Sequence, residues 1–321
     1  MNKKIAITLG DYNGIGPEIV IKAINKLDLN TDNFCIIGNQ IILDYYKEKF
    51  DLSLNKNIEI IDIPMLSENI HIKNETKDAG IFSYKCLKKA CELAEQKKIN
   101  GLVTAPVSKN AMHLGGYNFS GQTEVLEKLL AHNAQKAEML FIADDFRVLL
   151  LTRHISLNKI KITKNFLIEK ITRLNAIFKT DFGISKPSFA LCSLNPHAGE
   201  NGVIGKEEID EFLPAIEILK GNGINITQPL PADTLFVKAA KSFYSKTSQP
   251  FDCYIACYHD QGLIPIKMLA MDNCVNTTIG LDILRTSPAH GTAYDIAGDL
   301  KADCSSMVAA IKVFLNNYHK R

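Results

Sequence analysis

Short apolar runs alternating with longer amphipathic segments are the feature that most restricts how this chain can fold. Strand-like runs occur at Ile5–Leu9, Phe34–Ile37, Ile58–Ile61, Leu102–Thr104, Met139–Ala143, Val148–Thr152, Phe189–Ser193, Cys253–Cys257 and Asn276–Ile279. Helical patterns lie between or beyond them at Lys77–Lys97, Gln122–His132, Lys164–Lys179, Lys206–Lys220, Thr234–Lys241 and Ala302–Tyr318. In the first of these, Ile81, Cys86, Leu87, Ala90, Leu93 and Ala94 share one face, with lysines and glutamates between. Such alternation implies an α/β protein with a mainly parallel sheet and helices on both faces. At 321 residues the chain suits two lobes or one large domain. No repeat or low-complexity linker marks a boundary.

The charge balance excludes some classes. Formal net charge is +2 and no basic tract stands out, so nucleic acid is not an expected partner; Lys320-Arg321 reads as a solvated end. No apolar run reaches the ~18 residues of a membrane span. Met1-Asn2-Lys3-Lys4 leads directly into the first strand pattern, without an apolar stretch or small-residue cleavage site, so a cytoplasmic location is expected. The eight cysteines are scattered, with no C-x-x-C pair, and read as reduced core thiols.

In α/β sheets, ligands bind beyond the carboxyl ends of strands, and four features of such loops stand out. Gly10-Asp11-Tyr12-Asn13-Gly14-Ile15-Gly16-Pro17-Glu18 follows the first strand. It reads as a phosphate cradle or a tight structural turn, and it matches neither G-x-G-x-x-G nor a P-loop. Three histidines follow strands: His154, His197 in Leu194-Asn195-Pro196-His197-Ala198-Gly199-Glu200, and His259 in Tyr258-His259-Asp260-Gln261-Gly262. Singly each reads as a loop or capping histidine; together they suit a catalytic divalent metal. His71, His113, His132 and His319 lack this context and read as surface residues. Lys267, Asn276 and Arg285 follow His259; the two cations at loop positions read as an anion clamp or as solvated charges. His290-Gly291-Thr292-Ala293 reads as a turn into a short helix whose amides meet an anion, or as a decorated helix start.

With these stretches and Pro231-Ala232-Asp233-Thr234 in view, the chain resembles the 4-hydroxythreonine-4-phosphate dehydrogenase family of pyridoxal phosphate biosynthesis along essentially its whole length. The His290 loop also looks like the cofactor loop of isocitrate and isopropylmalate dehydrogenases. The resemblance implies a two-lobed, three-layer α/β/α fold that binds NAD or NADP without a Rossmann fingerprint. It implies one lobe from residues 1–122 with 272–321, a second from 123–271, and an active site in the cleft between them and at a homodimer interface. It assigns His154, His197 and His259 to the metal, which is zinc, magnesium, manganese or cobalt. It assigns Gln122, Thr123, Lys267, Asn276 and Arg285 to the substrate, and His290, Gly291, Thr292 and Ala293 to the cofactor.

The activity implied is metal-dependent oxidation of 4-phosphohydroxy-L-threonine to 2-amino-3-oxo-4-phosphooxybutanoate, which loses CO2 to give 3-amino-2-oxopropyl phosphate. Lys267 is the candidate for proton transfer or for holding an anion. Asp260 either orients an imidazole or caps a helix, and Asp233 reads as an N-cap. One position departs from the family pattern: Gly121-Gln122-Thr123-Glu124 has Gln where the family has His. That keeps a dehydrogenase of a phosphorylated four-carbon sugar acid, phosphothreonate or phosphoerythronate, as an alternative. A phosphate acyltransferase and a non-enzymatic binding protein are more distant ones.

Overall fold

The structure, a computed structural model, describes residues 4–318 apart from 28, 30, 56, 133 and 134. His319 and Lys320-Arg321 lie outside the described residues. Internal contacts divide the chain into two compact units, Met1–Ala137 with Val275–Asn316, and Glu138–Cys274 with Asn317–Arg321.

The first segment runs β1 (Lys4–Thr8), α1 (Gly16–Lys26), β2 (Phe34–Gly38), α2 (Gln40–Phe50), β3 (Glu59–Asp62), α3 (Lys77–Glu95), β4 (Ile99–Thr104), α4 (Lys109–Leu114) and α5 (Gln122–Leu130). The second unit follows with β5 (Glu138–Ala143), β6 (Phe146–Leu150), α6 (Lys164–Asp181), β7 (Ser188–Leu191), α7 (Leu213–Gly221), β8 (Asn225–Ile226), α8 (Ala232–Tyr244), β9 (Cys253–Ala256) and α9 (His259–Ala270). The chain then returns to the first unit through β10 (Val275–Ile279), β11 (Leu284–Pro288) and α10 (Ser305–Tyr318).

Strand order in the first unit is β3-β2-β1-β4-β11-β10, parallel except for the β10–β11 pair. In the second unit it is β5-β6-β9-β7-β8, parallel except for β5–β6. The mainly parallel sheet read from the sequence therefore carries two antiparallel pairs. The β5–β6 connection is Asp144-Asp145, with Asp144 at a φ of 54°, a conformation that a short polar side chain tolerates. Strand β11 is absent from the sequence reading because Leu284-Arg285-Thr286-Ser287-Pro288 lacks a hydrophobic run, yet every one of its residues is buried. Helix α9 likewise has no clear sequence signature, since Gly262 and Pro265 lower its propensity.

The strands inside each order are apolar on both faces, as expected where helices cover a parallel sheet: β2 and β9 are buried along their whole length. Helix α3 is started by Thr76, whose side chain accepts from the Ala79 amide, and it buries Phe82, Cys86, Leu87 and Ala90. All eight cysteines are buried and none is in a disulfide, as their apolar setting implied. Among the described residues, no helix is long and apolar enough to cross a membrane. In the second unit, Lys170 of α6 donates to the Leu150 and Leu151 carbonyls at 3.0 and 2.8 Å and pairs with the buried Glu138 at 3.0 Å. That contact fixes the end of β6, which leads to His154.

Candidate active site

The three candidate metal ligands all belong to the second unit. Strands β6, β9 and β7 are neighbours and mutually parallel, so the loops that follow them emerge side by side. The His154 and His259 rings stand 5.7 Å apart, centroid to centroid. Two imidazoles at that spacing reach a common ion with bonds of about 2.1 Å. His259 is the first residue of α9, and its Nδ1 lies 2.7 Å from Asp260 Oδ1, which leaves Nε2 as the nitrogen that could reach an ion. Asp260 does not cap the helix: the N-cap position is Tyr258, without a side-chain bond.

Gly262 explains how α9 brings His259 so close. A Cβ there would come within 2.7 Å of Leu150 Cδ2, 2.8 Å of Val148 Cγ1 and 2.9 Å of Ala256 Cβ. The first turn of α9 thus rests directly on β6 and β9, the two strands whose ends carry His154 and His259.

His197 is held differently. His197, Ala198, Gly199, Glu200 and Asn201 all have positive φ, from 44° to 77°. Left-handed backbone costs a non-glycine residue roughly 1–2 kcal/mol, so such a run persists only where its surroundings enforce it. Glu208, 2% exposed, supplies much of that enforcement. Its Oε1 accepts from the Leu194 and Asn195 amides at 2.8 Å each, and its Oε2 from Asn195 Nδ2 at 2.9 Å. Glu208 opens a π-helical turn, Glu208–Phe212, where a regular helix had been read from Lys206.

A cavity of about 290 Å³ is lined by Arg153, His154, Ser156, His259 and Asp260. A second, of about 340 Å³, is lined by Asn195, His197, Asp233 and Gln261. Tyr258 lines both. Among the described residues, no three His, Cys, Asp or Glu side chains converge on one point. The structure thus pairs His154 with His259 and sets His197 in the adjoining cavity. The paired imidazoles fit a divalent ion that keeps other positions open. Asp233 is not the N-cap read from the sequence; α8 starts at Ala232, with Pro231 before it. Lys267 is not in a loop but on α9, half-buried, on the same helix as His259.

The other candidate substrate residues cluster in the first unit. Arg285 lies within β11 rather than in a loop, and it is 2% exposed. Its Nε donates to Thr104 Oγ1 at 2.8 Å and its Nη1 reaches Thr278 Oγ1 at 3.4 Å. Burial pushes the guanidinium pKa down to about 9, partly offset by the Glu124 carboxylate, so it stays charged at neutral pH. Thr123 Oγ1 is 3.2 Å from the same Thr278 hydroxyl, and Gln122 Nε2 donates to the Ala105 carbonyl at 3.1 Å. Asn276 is on β10, one register step from Thr278 on the same face. Gln122 Oε1 and Asn276 Oδ1 are buried acceptors without a hydrogen-bond partner in the chain, which is uncommon in native proteins. Gln122 and Thr123 begin α5, so helix amides and a buried cation occupy one place.

The first-strand loop and the His290 loop meet in this unit too. The Ile15 amide donates to the Thr292 carbonyl at 2.9 Å, and a Cβ on Gly14 would lie 2.7 Å from that oxygen. Tyr294 Oη donates to Asp11 Oδ2 at 2.8 Å. Asp11 is fully buried, and desolvation raises its carboxyl to about 6 against the Tyr294 hydrogen bond, which lowers it. The residues after His290 form turns, not the short helix read from the sequence, so no helix N-terminus stands there. Thr104, Thr278, Tyr294, Glu208 and Gln261 went unassigned in the sequence reading. Only Gln261 and Tyr294 carried a signal, by lying beside named motif residues.

The family model of pyridoxal phosphate biosynthetic protein PdxA matches residues 15–314. A 4-hydroxythreonine-4-phosphate dehydrogenase from a Sulfurihydrogenibium species is 39% identical, with 97% of each chain covered. The D-threonate 4-phosphate dehydrogenase of Salmonella typhimurium is 36% identical, covering 97% of this chain and 98% of its own. The crystal structure of 4-hydroxythreonine-4-phosphate dehydrogenase from Klebsiella pneumoniae superposes with a TM-score of 0.85 at 31% identity, covering 98% and 99% of the two chains. A branched-chain phosphotransacylase from Enterococcus faecalis shares the fold alone, at 12% identity and a TM-score of 0.54. The chain belongs to the pyridoxal phosphate biosynthetic protein PdxA family, within the oxidoreductases, and its α/β fold is that of the family rather than a Rossmann fold.

Proposed function

We propose that this protein oxidises 4-phosphohydroxy-L-threonine at C3 with NAD or NADP, and that the resulting 3-oxo acid loses CO2 to give 3-amino-2-oxopropyl phosphate. The observation that carries the reading is the His154–His259 pair, 5.7 Å apart at the ends of neighbouring strands, in a chain of this family. A divalent metal, when bound, supplies Lewis acidity that lowers the pKa of the substrate alcohol and stabilises the enolate left by CO2.

His154 and His259 hold the ion, His197 is the third ligand, and Asp260 keeps the His259 ring in its ligating orientation. Arg285, Thr123 and the first amides of α5 bind the phosphate, with Gln122 and Asn276 beside them. Lys267 holds the substrate carboxylate or moves a proton. His290, Gly291, Thr292 and Ala293, braced against the first-strand loop, hold the nicotinamide cosubstrate. The working form is a cytoplasmic homodimer that shares its active sites.

A second reading has one specific observation in its favour. By the family resemblance, Gln122 stands where a His is usual, and it cannot become a cation near neutral pH. Relatives named D-threonate 4-phosphate dehydrogenase are nearly as similar as those named for hydroxythreonine phosphate. Absorbance at 340 nm separates the two. Metal-dependent, chelator-sensitive NAD or NADP reduction with 4-phosphohydroxy-L-threonine and release of CO2 supports the first. Reduction only with a four-carbon phosphosugar acid moves the activity to the second. Absence of both, in protein that binds metal and melts cooperatively, refutes the dehydrogenase reading.

A further inference from the structure

Beyond the proposed ligands, one side chain joins the loops that carry them. Strand β9 ends at Ala256, and the polar backbone groups of the next residue, Cys257, are bonded by Thr152 on one side and by the Gln261 side chain on the other. The Cys257 carbonyl accepts from Thr152 Oγ1 at 2.7 Å and from the Thr152 amide at 3.2 Å. Thr152 leads into His154. The Cys257 amide donates to Gln261 Oε1 at 2.7 Å, and Gln261 Nε2 donates onward to the Ser193 carbonyl at 2.8 Å. Ser193 leads into the His197 loop, and its own hydroxyl donates to the Asn195 carbonyl at 2.8 Å.

The orientation of the Gln261 amide follows from its partners. The Cys257 N–H requires an oxygen and the Ser193 C=O requires a nitrogen, so only a carboxamide in this one orientation satisfies both. The bridge stands one step beyond the Cys192 amide to Ile255 carbonyl bond, the last backbone bond between β7 and β9, and beside the contact of Cys257 Sγ with the Cys192 carbonyl at 3.2 Å, so it carries the link between the two strand ends on into the His197 and His259 loops. Gln261 also lines the cavity of His197.

We propose that Gln261 is a positioning residue for the metal site: its carboxamide joins the backbones behind His197 and His259, and so sets where the two imidazoles stand. The proposal rests on the metal reading given above. Gln261→Glu keeps the size and the acceptor for Cys257 but turns a carboxylate oxygen toward the Ser193 carbonyl. Gln261→Met removes both bonds at similar volume. Neither change touches an imidazole.

The test is titration of the chelator-stripped full-length protein with Co2+, followed by its visible absorption, together with amide hydrogen exchange at Cys257. The expected result is Co2+ affinity ~10–100-fold weaker in both variants, with a changed visible band. Exchange at Cys257 should quicken in Gln261→Met and stay slow in Gln261→Glu. Should Gln261→Met fail to fold, Gln261→Glu carries the affinity test. Wild-type affinity and an unchanged band in a folded Gln261→Glu protein overturn the proposal alone. Failure of the wild-type protein to take up Co2+ overturns the metal reading, and the proposal with it.

Discussion

Asp11 shows how a single residue in this protein is set against its environment. Its carboxyl is fully buried, and desolvation holds its pKa near 6 against an ordinary 3.8. Because the folded-state value is raised, the native protein takes up a proton between about pH 6 and 4 that the unfolded chain does not. This group's contribution to stability is therefore most favourable in acid and is lost as pH rises through that window. The full difference is worth roughly 3 kcal/mol. Asp11→Asn keeps an acceptor for the Asn13 amide and offers a donor to Tyr294 Oη, which can accept. Urea melts should find the variant more stable than wild type at pH 8, with the gap closing toward pH 4. A gap that is constant across pH would show that Asp11 is not the titrating group. The sequence makes Asp11 visible as part of a glycine-rich loop, but its burial depends on Tyr294, far along the chain.

At the level of elements, α9 is the piece whose placement matters most. It carries His259, Asp260, Gln261 and Lys267, and Gly262 seats it on β6 and β9. Its helical character is hidden by Gly262 and Pro265, both poor formers, and the loss is made good by burial of Leu263, Ile266 and Ala270 against the sheet. Gly262→Ala inserts a methyl where three side chains already stand within 3 Å. Overpacking of this kind costs about 1–3 kcal/mol, and the helix relieves it by moving away from the strands. Two effects are expected: a lower midpoint in thermal melts and weaker metal uptake by calorimetry. A destabilised variant with unchanged metal affinity would place the clash away from His259. Strand β11 is a similar case. Its polar residues are buried because Thr286 donates to the Ala310 carbonyl of α10 and Arg285 is held by Thr104 and Thr278. Thr278 sits on the neighbouring hairpin strand, but Thr104 and Ala310 come from elsewhere in the chain.

For the molecule as a whole, metal binding should be coupled to stability, because an ion that binds only the native state adds RT ln(1 + [L]/Kd). At free Zn2+ or Co2+ a hundredfold above Kd, the gain is about 2.7 kcal/mol, read as a rise in Tm that EDTA reverses. His154→Ala should melt close to apo wild type and lose most of the metal-induced rise, since one of the paired imidazoles is gone. His197→Ala should also melt like apo wild type and lose metal-dependent NAD or NADP reduction. A full metal-induced rise in His154→Ala would remove that residue from the ligand set, and full activity in His197→Ala would do the same for His197.

By itself the sequence determined the α/β class, most strands and helices, the reduced cysteines and the loops that carry His154, His197 and His259. These are legible because hydrophobic periodicity is local, and because motif residues lie together at strand ends. Only the tertiary structure decided which of those groups meet. It paired His154 with His259, set His197 on a left-handed turn pinned by Glu208, and placed Arg285 inside a strand. It also joined Cys257 directly to Thr152, and to Ser193 through Gln261. The physical reason is distance along the chain. A ring contact or a buried hydrogen bond between residues a hundred positions apart depends on strand order and register, which no local pattern encodes.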